Sequence, residues 1–132
     1  MPPERFPPDD PREWLNRAKS NLERARADLR LSGVYLEDLC FDAQQAAEKA
    51  IKALLIKRGI AFPYVHDLAR LLTLLEETEG EIPESVRRAE ELTRYAMVTR
   101  YPGLAEPVTE RHYHEAVATA QAVIEWVEPR LR

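Results

Sequence analysis

Residues 35–58 read YLEDLCFDAQQAAEKAIKALLIKR, and this stretch decides the fold. It contains neither Gly nor Pro and is dense in Ala, Leu, Glu, Gln and Lys, which lose little on entering a helix. Gly59 follows at once, a residue that readily takes the left-handed turn just past a helix end. At about 100° per residue, Leu36, Cys40, Ala43, Ala47, Ala50 and Leu54 form one stripe, which Ala46, Ile51, Ala53 and Leu55 widen. Small residues dominate its middle, so neighbouring helices can approach closely there. The opposite face carries Asp38, Asp42, Gln45, Lys49 and Lys52, a narrow polar line with charges of both signs. The first face builds a core. The second is either solvated or a site.

Upstream, residues 1–9 are too rich in proline for helix and read as a loose, extended arm. Asp10 then offers an N-cap, Pro11 suits the first helical position, and Glu13 lies three residues after the cap. Trp14, Leu15, Ala18, Leu22, Ala25 and Leu29 recur at helical spacing, so a first helix is expected to reach about Leu31 before Gly33 breaks it. The short turn that follows implies antiparallel packing on the central helix. Downstream, Pro63 excludes helix, Asp67 can cap a third helix with Leu68, Leu71, Leu72 and Leu75 inward, and Gly80 stops it. Pro83 opens a fourth, in which Val86, Ala89, Leu92, Thr93 and Ala96 form a weak stripe. Residues 99–108 hold two prolines and a glycine, a longer connection than two packed helices need. Thr109 caps a last helix with Tyr113, Ala116, Val117, Ala120, Ile124 and Val127 on its apolar face, closed by Pro129. The expected fold is all-α: an up-and-down antiparallel bundle of about five helices spanning residues 10–132.

The 132 residues fit one core. With 45% hydrophobic and 32% charged residues the chain reads as soluble and globular. A net charge of −4 opposes broad electrostatic attachment to nucleic acid, while leaving room for one local basic patch. The single cysteine, Cys40, excludes an intrachain disulfide and lies on the apolar stripe, as a buried, inert thiol would. The first residues form no signal peptide, and no stretch approaches the length of a membrane span, so a cytoplasmic location is expected. Phosphate loops, Cys pairs and H-E-x-x-H are absent. His112 and His114 are two apart and face different directions on a helix, where exposure on the first turn is the simple expectation; no metal site is expected. His66 reads as a packing residue at a helix start.

The run AQQAAEKAIKAL at residues 43–54 resembles the central helix of HEPN domains, small helical proteins named for proposed nucleotide binding in higher eukaryotes and prokaryotes. His66, Asp67 and Leu68, with Leu71 and Leu72, are similar to that family's next helix, and TRYPG at residues 99–103 to its loop before the last helix. Trp14, Ala18 and Leu22 fit as well. The resemblance implies a bundle that is usually dimeric and a frequent partner, a separately encoded minimal nucleotidyltransferase, in pairs that often behave as toxin and antitoxin. Some HEPN proteins are metal-independent ribonucleases through an Arg and a following His with four to six residues between them. There His moves the 2′-hydroxyl proton and Arg steadies charge on phosphorus. Here the positions after Arg100 hold Ala105, Glu106 and Pro107, those after Arg94 hold Thr99, Arg100 and Tyr101, and those after Arg111 hold Ala116, Val117 and Ala118. None is His, so no catalytic residue is assigned.

What remains is a candidate ligand site without a resident cofactor. Arg100 can grip a phosphate with its planar fork, and Tyr101 can stack on a base. Lys49 and Lys52 can neutralise phosphate charge, with Gln45, Asp38 and Asp42 beside them. The structural alternative is that Arg100 pairs with Asp38 or Asp42 and pins its loop, with Gln44 and Gln45 as surface or interface groups. Tyr101 is also a candidate acceptor of a transferred nucleotide. The expected function is a non-catalytic, homodimeric HEPN-type protein that binds a nucleotidyltransferase and, as a candidate ligand, nucleotide or RNA. A stand-alone nucleotide-binding module is the alternative, and a divergent ribonuclease toxin the remotest.

Overall fold

The computed structural model describes residues 1–27, 32–97 and 107–132. Helix α1 (Pro11–Arg26) starts on Asp10, whose carboxylate accepts the Arg12 backbone N–H at 2.9 Å. The helix stops at Arg26, earlier than expected, because Ala27 takes extended backbone (φ −62°, ψ 140°). A partner from across the bundle covers that end. The Tyr113 hydroxyl donates to the Ala25 carbonyl, one of the last four that a helix end leaves without an internal donor. Residues 28–31, where the rest of the helix was expected, lie outside the described residues.

Helix α2 (Leu36–Lys57) is the 22-residue centre of the molecule. It packs on α1 and on the last helix, with further elements on its remaining flanks. At its end Gly59 adopts φ 68°, the Ile60 N–H reaches back to the Leu55 carbonyl (2.9 Å), and the Gly59 N–H to that of Ile56 (3.0 Å). This pair of bonds is a Schellman motif, which only a residue tolerant of positive φ completes cheaply. Residues 59–67 then run back along α2, bringing His66 against Glu48. Helix α3 (Leu68–Glu79) therefore begins beside the middle of α2 and ends beside its C-terminal end, where Arg58 grips Glu79 through two hydrogen bonds of 2.8 and 3.1 Å. Asp67 caps α3 through the Ala69 N–H, and Gly80 (φ 76°) ends it.

The expected fourth helix is one α-turn, α4 (Glu84–Arg87), continuing as a 3-10 helix over Arg88–Ala96. Its buried residues are Val86, Ala89, Leu92 and Tyr95, an unbroken step of three. A 3-10 helix has three residues per turn, so this step stacks all four on one face, where an α-helix would spiral them off the core. Thr93 and Ala96, placed on the inner stripe by the α-helical reading, are half-buried. Helix α5 (Glu110–Val127) opens with a capping box: the Thr109 side chain accepts the His112 N–H, and His112 Nδ1 accepts the Thr109 N–H, both at 3.2 Å. A final 3-10 turn, Glu128–Leu131, carries Pro129.

All of these elements share one core. Ala43, Ala46, Ala47, Ala50 and Ala53 of α2 are fully buried, as are Leu39, Ile51, Leu54 and Leu55. Residues 1–6 form no helix, yet the N-terminal segment lies on α1: Trp14 Nε1 donates to the Pro8 carbonyl (2.7 Å), Asn16 to that of Glu4 (2.8 Å), and Glu13 accepts the Phe6 N–H (2.9 Å). Among the described residues there is no strand, and no helix is long and apolar enough to cross a membrane.

Candidate functional site

The polar line of α2 does not form one exposed face. Fourteen of the helix's 22 residues are buried, because neighbours surround most of its circumference. Asp42 is 5% exposed, Lys52 4%, and Gln44, expected at a surface or interface, is fully buried. Gln45 and Lys49 are half-buried, and only Asp38 is exposed. Side chains this polar survive burial only when their hydrogen bonds are made, and they are made in two separate networks.

The first lies between α1 and α2. Asn21 bridges, donating to Asp42 Oδ1 at 3.0 Å and accepting from Lys49 Nζ at 2.8 Å. Arg24 adds its guanidinium 3.5 Å from Asp42 Oδ2. Burial draws the Lys49 ammonium below its ordinary pKa, and the nearby Arg17 guanidinium acts in the same direction.

The second network centres on Glu48, 4% exposed. Its Oε1 accepts from Gln44 Nε2 (2.8 Å) and meets His66 Nδ1 (2.9 Å), and its Oε2 accepts from Lys52 Nζ (3.0 Å). Gln45 in turn donates to Gln44 (2.6 Å). The Lys52 ammonium lies 5.6 Å from the Phe62 ring centre and 5.5 Å from that of Tyr64, within cation–π range. Lys49 and Lys52, read from the sequence as one exposed row, thus belong to different networks, each closed on partners of its own. Glu48 and Asn21 were not singled out in the sequence. The spacing Gln44, Glu48, Lys52 carried the signal, since steps of four align side chains that can hydrogen-bond along a helix.

A second feature is a groove of about 390 Å³ between the 3-10 helix and α5, whose walls include Arg88, Glu91, Arg94, Tyr95, His112 and Glu115. These two elements flank residues 98–106 in the chain. Arg100 and Tyr101 lie outside the described residues, so the proposed contact of that loop with the α2 line does too. His112 is half-buried and engaged in the α5 capping box, whereas His114 is exposed beside the Tyr113 ring (5.2 Å). Cys40 is fully buried, and burial pushes its thiol pKa up to about 12. Among the described residues no cluster of His, Cys, Asp and Glu is arranged to hold a metal ion.

The architecture is that of an all-α bundle built around one alanine-lined helix. The chain belongs to the HEPN domain family, whose model matches residues 11–130. Among solved structures it is similar to TT1696 from Thermus thermophilus, with 36% sequence identity, a TM-score of 0.77, and coverage of 91% of this chain and 97% of the other. It is also similar to ST0689, an archaeal HEPN homologue, with 31% identity, a TM-score of 0.75, and coverage of 93% and 98%. No curated protein matches the chain.

Proposed function

We propose that this HEPN protein is a non-catalytic homodimer that binds a separately encoded minimal nucleotidyltransferase and receives a nucleotide from it. The observation that carries the reading is the state of the two central lysines. Lys52 is closed on buried Glu48 and Lys49 on Asn21, so a phosphate reaching either would have to displace an internal partner. That disfavours a nucleotide site built from the α2 row alone and favours a chain whose nucleotide is brought by another protein. The missing Arg–His spacing supports the non-catalytic part of the reading. In the proposed transfer the Tyr101 hydroxyl oxygen attacks the α-phosphorus of ATP: an O–P bond forms, the bond from the α-phosphorus to the bridging oxygen breaks, pyrophosphate leaves with its electron pair, and the phenolic proton passes to a base of the nucleotidyltransferase.

Size-exclusion chromatography with light scattering tests the partnership. The expected result is a dimer alone and a mixed complex when a minimal nucleotidyltransferase is added; no complex at micromolar concentrations overturns it. With ATP present, intact mass is expected to rise by one nucleotide, and the gain to vanish in Tyr101→Phe. Calorimetric titration with ATP alone is expected to release no heat at millimolar ligand. Heat there would favour the stand-alone module instead, and cleavage of total RNA by the purified chain would restore the ribonuclease reading.

A further inference from the structure

The Glu48 network ends at the surface in a single imidazole, and its geometry decides which nitrogen of that ring is reactive. Glu48 is 4% exposed, and both of its oxygens act as acceptors: Oε1 takes the Gln44 amide N–H at 2.8 Å and Oε2 the Lys52 ammonium at 3.0 Å. His66 Nδ1 faces Glu48 Oε1 at 2.9 Å, so Nδ1 must carry the hydrogen of the neutral ring. The other nitrogen, Nε2, then bears the lone pair. The His66 side chain is 51% exposed, while its carboxylate partner is 5% exposed. The arrangement is a nucleophile oriented by a buried carboxylate, the same logic that readies histidines in acid–base and covalent catalysis.

The other two histidines serve as internal controls. His112 Nδ1 accepts the Thr109 N–H, which places the ring hydrogen on Nε2 and removes the lone pair from the outer nitrogen. His114 is exposed, and a tilted contact with Tyr113 does not select a tautomer.

We propose that His66 Nε2 is an acceptor site for an electrophilic phosphoryl group, with Glu48 as its positioning residue. In the step, the Nε2 lone pair forms an N–P bond while the donor's bond to its leaving group breaks. The leaving group departs with that electron pair, as ammonia when phosphoramidate is the donor. The hydrogen on Nδ1 stays in the bond to Glu48, whose negative charge offsets the positive charge of the substituted ring. Lys52 holds the other oxygen of Glu48 at 3.0 Å throughout. An open imidazole suits a donor that comes to it, since half of the His66 side chain is exposed.

Two measurements test this without the partner invoked above, so failure of that partnership leaves the inference standing and the reverse also holds. Long-range nitrogen–proton NMR of the full chain reads each tautomer. Hydrogen on Nδ1 is expected for His66 and on Nε2 for His112; hydrogen on Nε2 of His66 overturns the inference. Reaction with phosphoramidate followed by peptide mass spectrometry is expected to label His66 several-fold faster than His114. Equal or slower labelling of His66 overturns it. The variant His66→Asn keeps an N–H donor toward Glu48, so it is expected to fold as the parent does and to lose the fast phase of labelling. A fast phase retained in that variant assigns the reactivity elsewhere and sinks the proposal.

Discussion

Lys52 and Glu48 form an ion pair inside the bundle, each about 5% exposed at the side chain. Such pairs stabilise little when intact but cost much when halved, because the survivor is left as a buried charge. Lys52→Ala is therefore expected to destabilise the fold by about 3–5 kcal/mol, read from urea denaturation. Glu79 behaves differently because its partners reach it from the rim. The Arg58 guanidinium holds the Glu79 carboxyl below its ordinary value of 4.5, helped by Thr78 and Arg130. A carboxyl with a depressed folded pKa binds fewer protons folded than unfolded in that range, so its stabilisation is complete above pH 4.5 and is lost as pH falls through the depressed value. Urea midpoints of the parent and Glu79→Gln are expected to differ at pH 7 and to converge in acid. A constant difference down to pH 3 would contradict this assignment.

The helix ends at Gly59 and Gly80 were legible in the sequence, and so were the caps at Asp10, Asp67 and Thr109, because each depends on one residue type at one position. Gly59→Ala is expected to cost about 1 kcal/mol, since an added Cβ meets no neighbour and only the backbone strain at φ 68° remains. Thermal denaturation measures it. The end of α1 was not legible: nothing local breaks a helix at Ala27, and the Tyr113 hydroxyl that meets its last turn comes from α5. The 3-10 character of Arg88–Ala96 was legible in principle, since Val86, Ala89, Leu92 and Tyr95 repeat every three residues, but an α-helical period absorbs part of that pattern. The candidate site was legible as a set of residue types and not as a surface. Alternation around α2 shows which side chains are polar, while the number of neighbours around α2 decides which are buried, and that is a property of the assembled bundle.

At the scale of the molecule, α2 holds the other elements at close range by being small where they press on it. Ala43, Ala46, Ala47 and Ala50 are fully buried in one continuous core. Enlarging Ala47 to Leu is expected to cost about 1–3 kcal/mol by overpacking. Truncating Leu54 to Ala is expected to cost about 2–5 kcal/mol by leaving a cavity. Both are read as shifts in the urea midpoint with unchanged slope, as expected when one cooperative unit loses stability without changing how much surface it exposes.

The sealed sulfur at Cys40 turns this packing into a gauge that the chain carries for itself. A thiol held shut and far from ionised reacts only during excursions that open the bundle. The rate at which a chromogenic disulfide reagent consumes that one group would time such openings in the unaltered protein, with no label introduced and no second thiol to blur the signal.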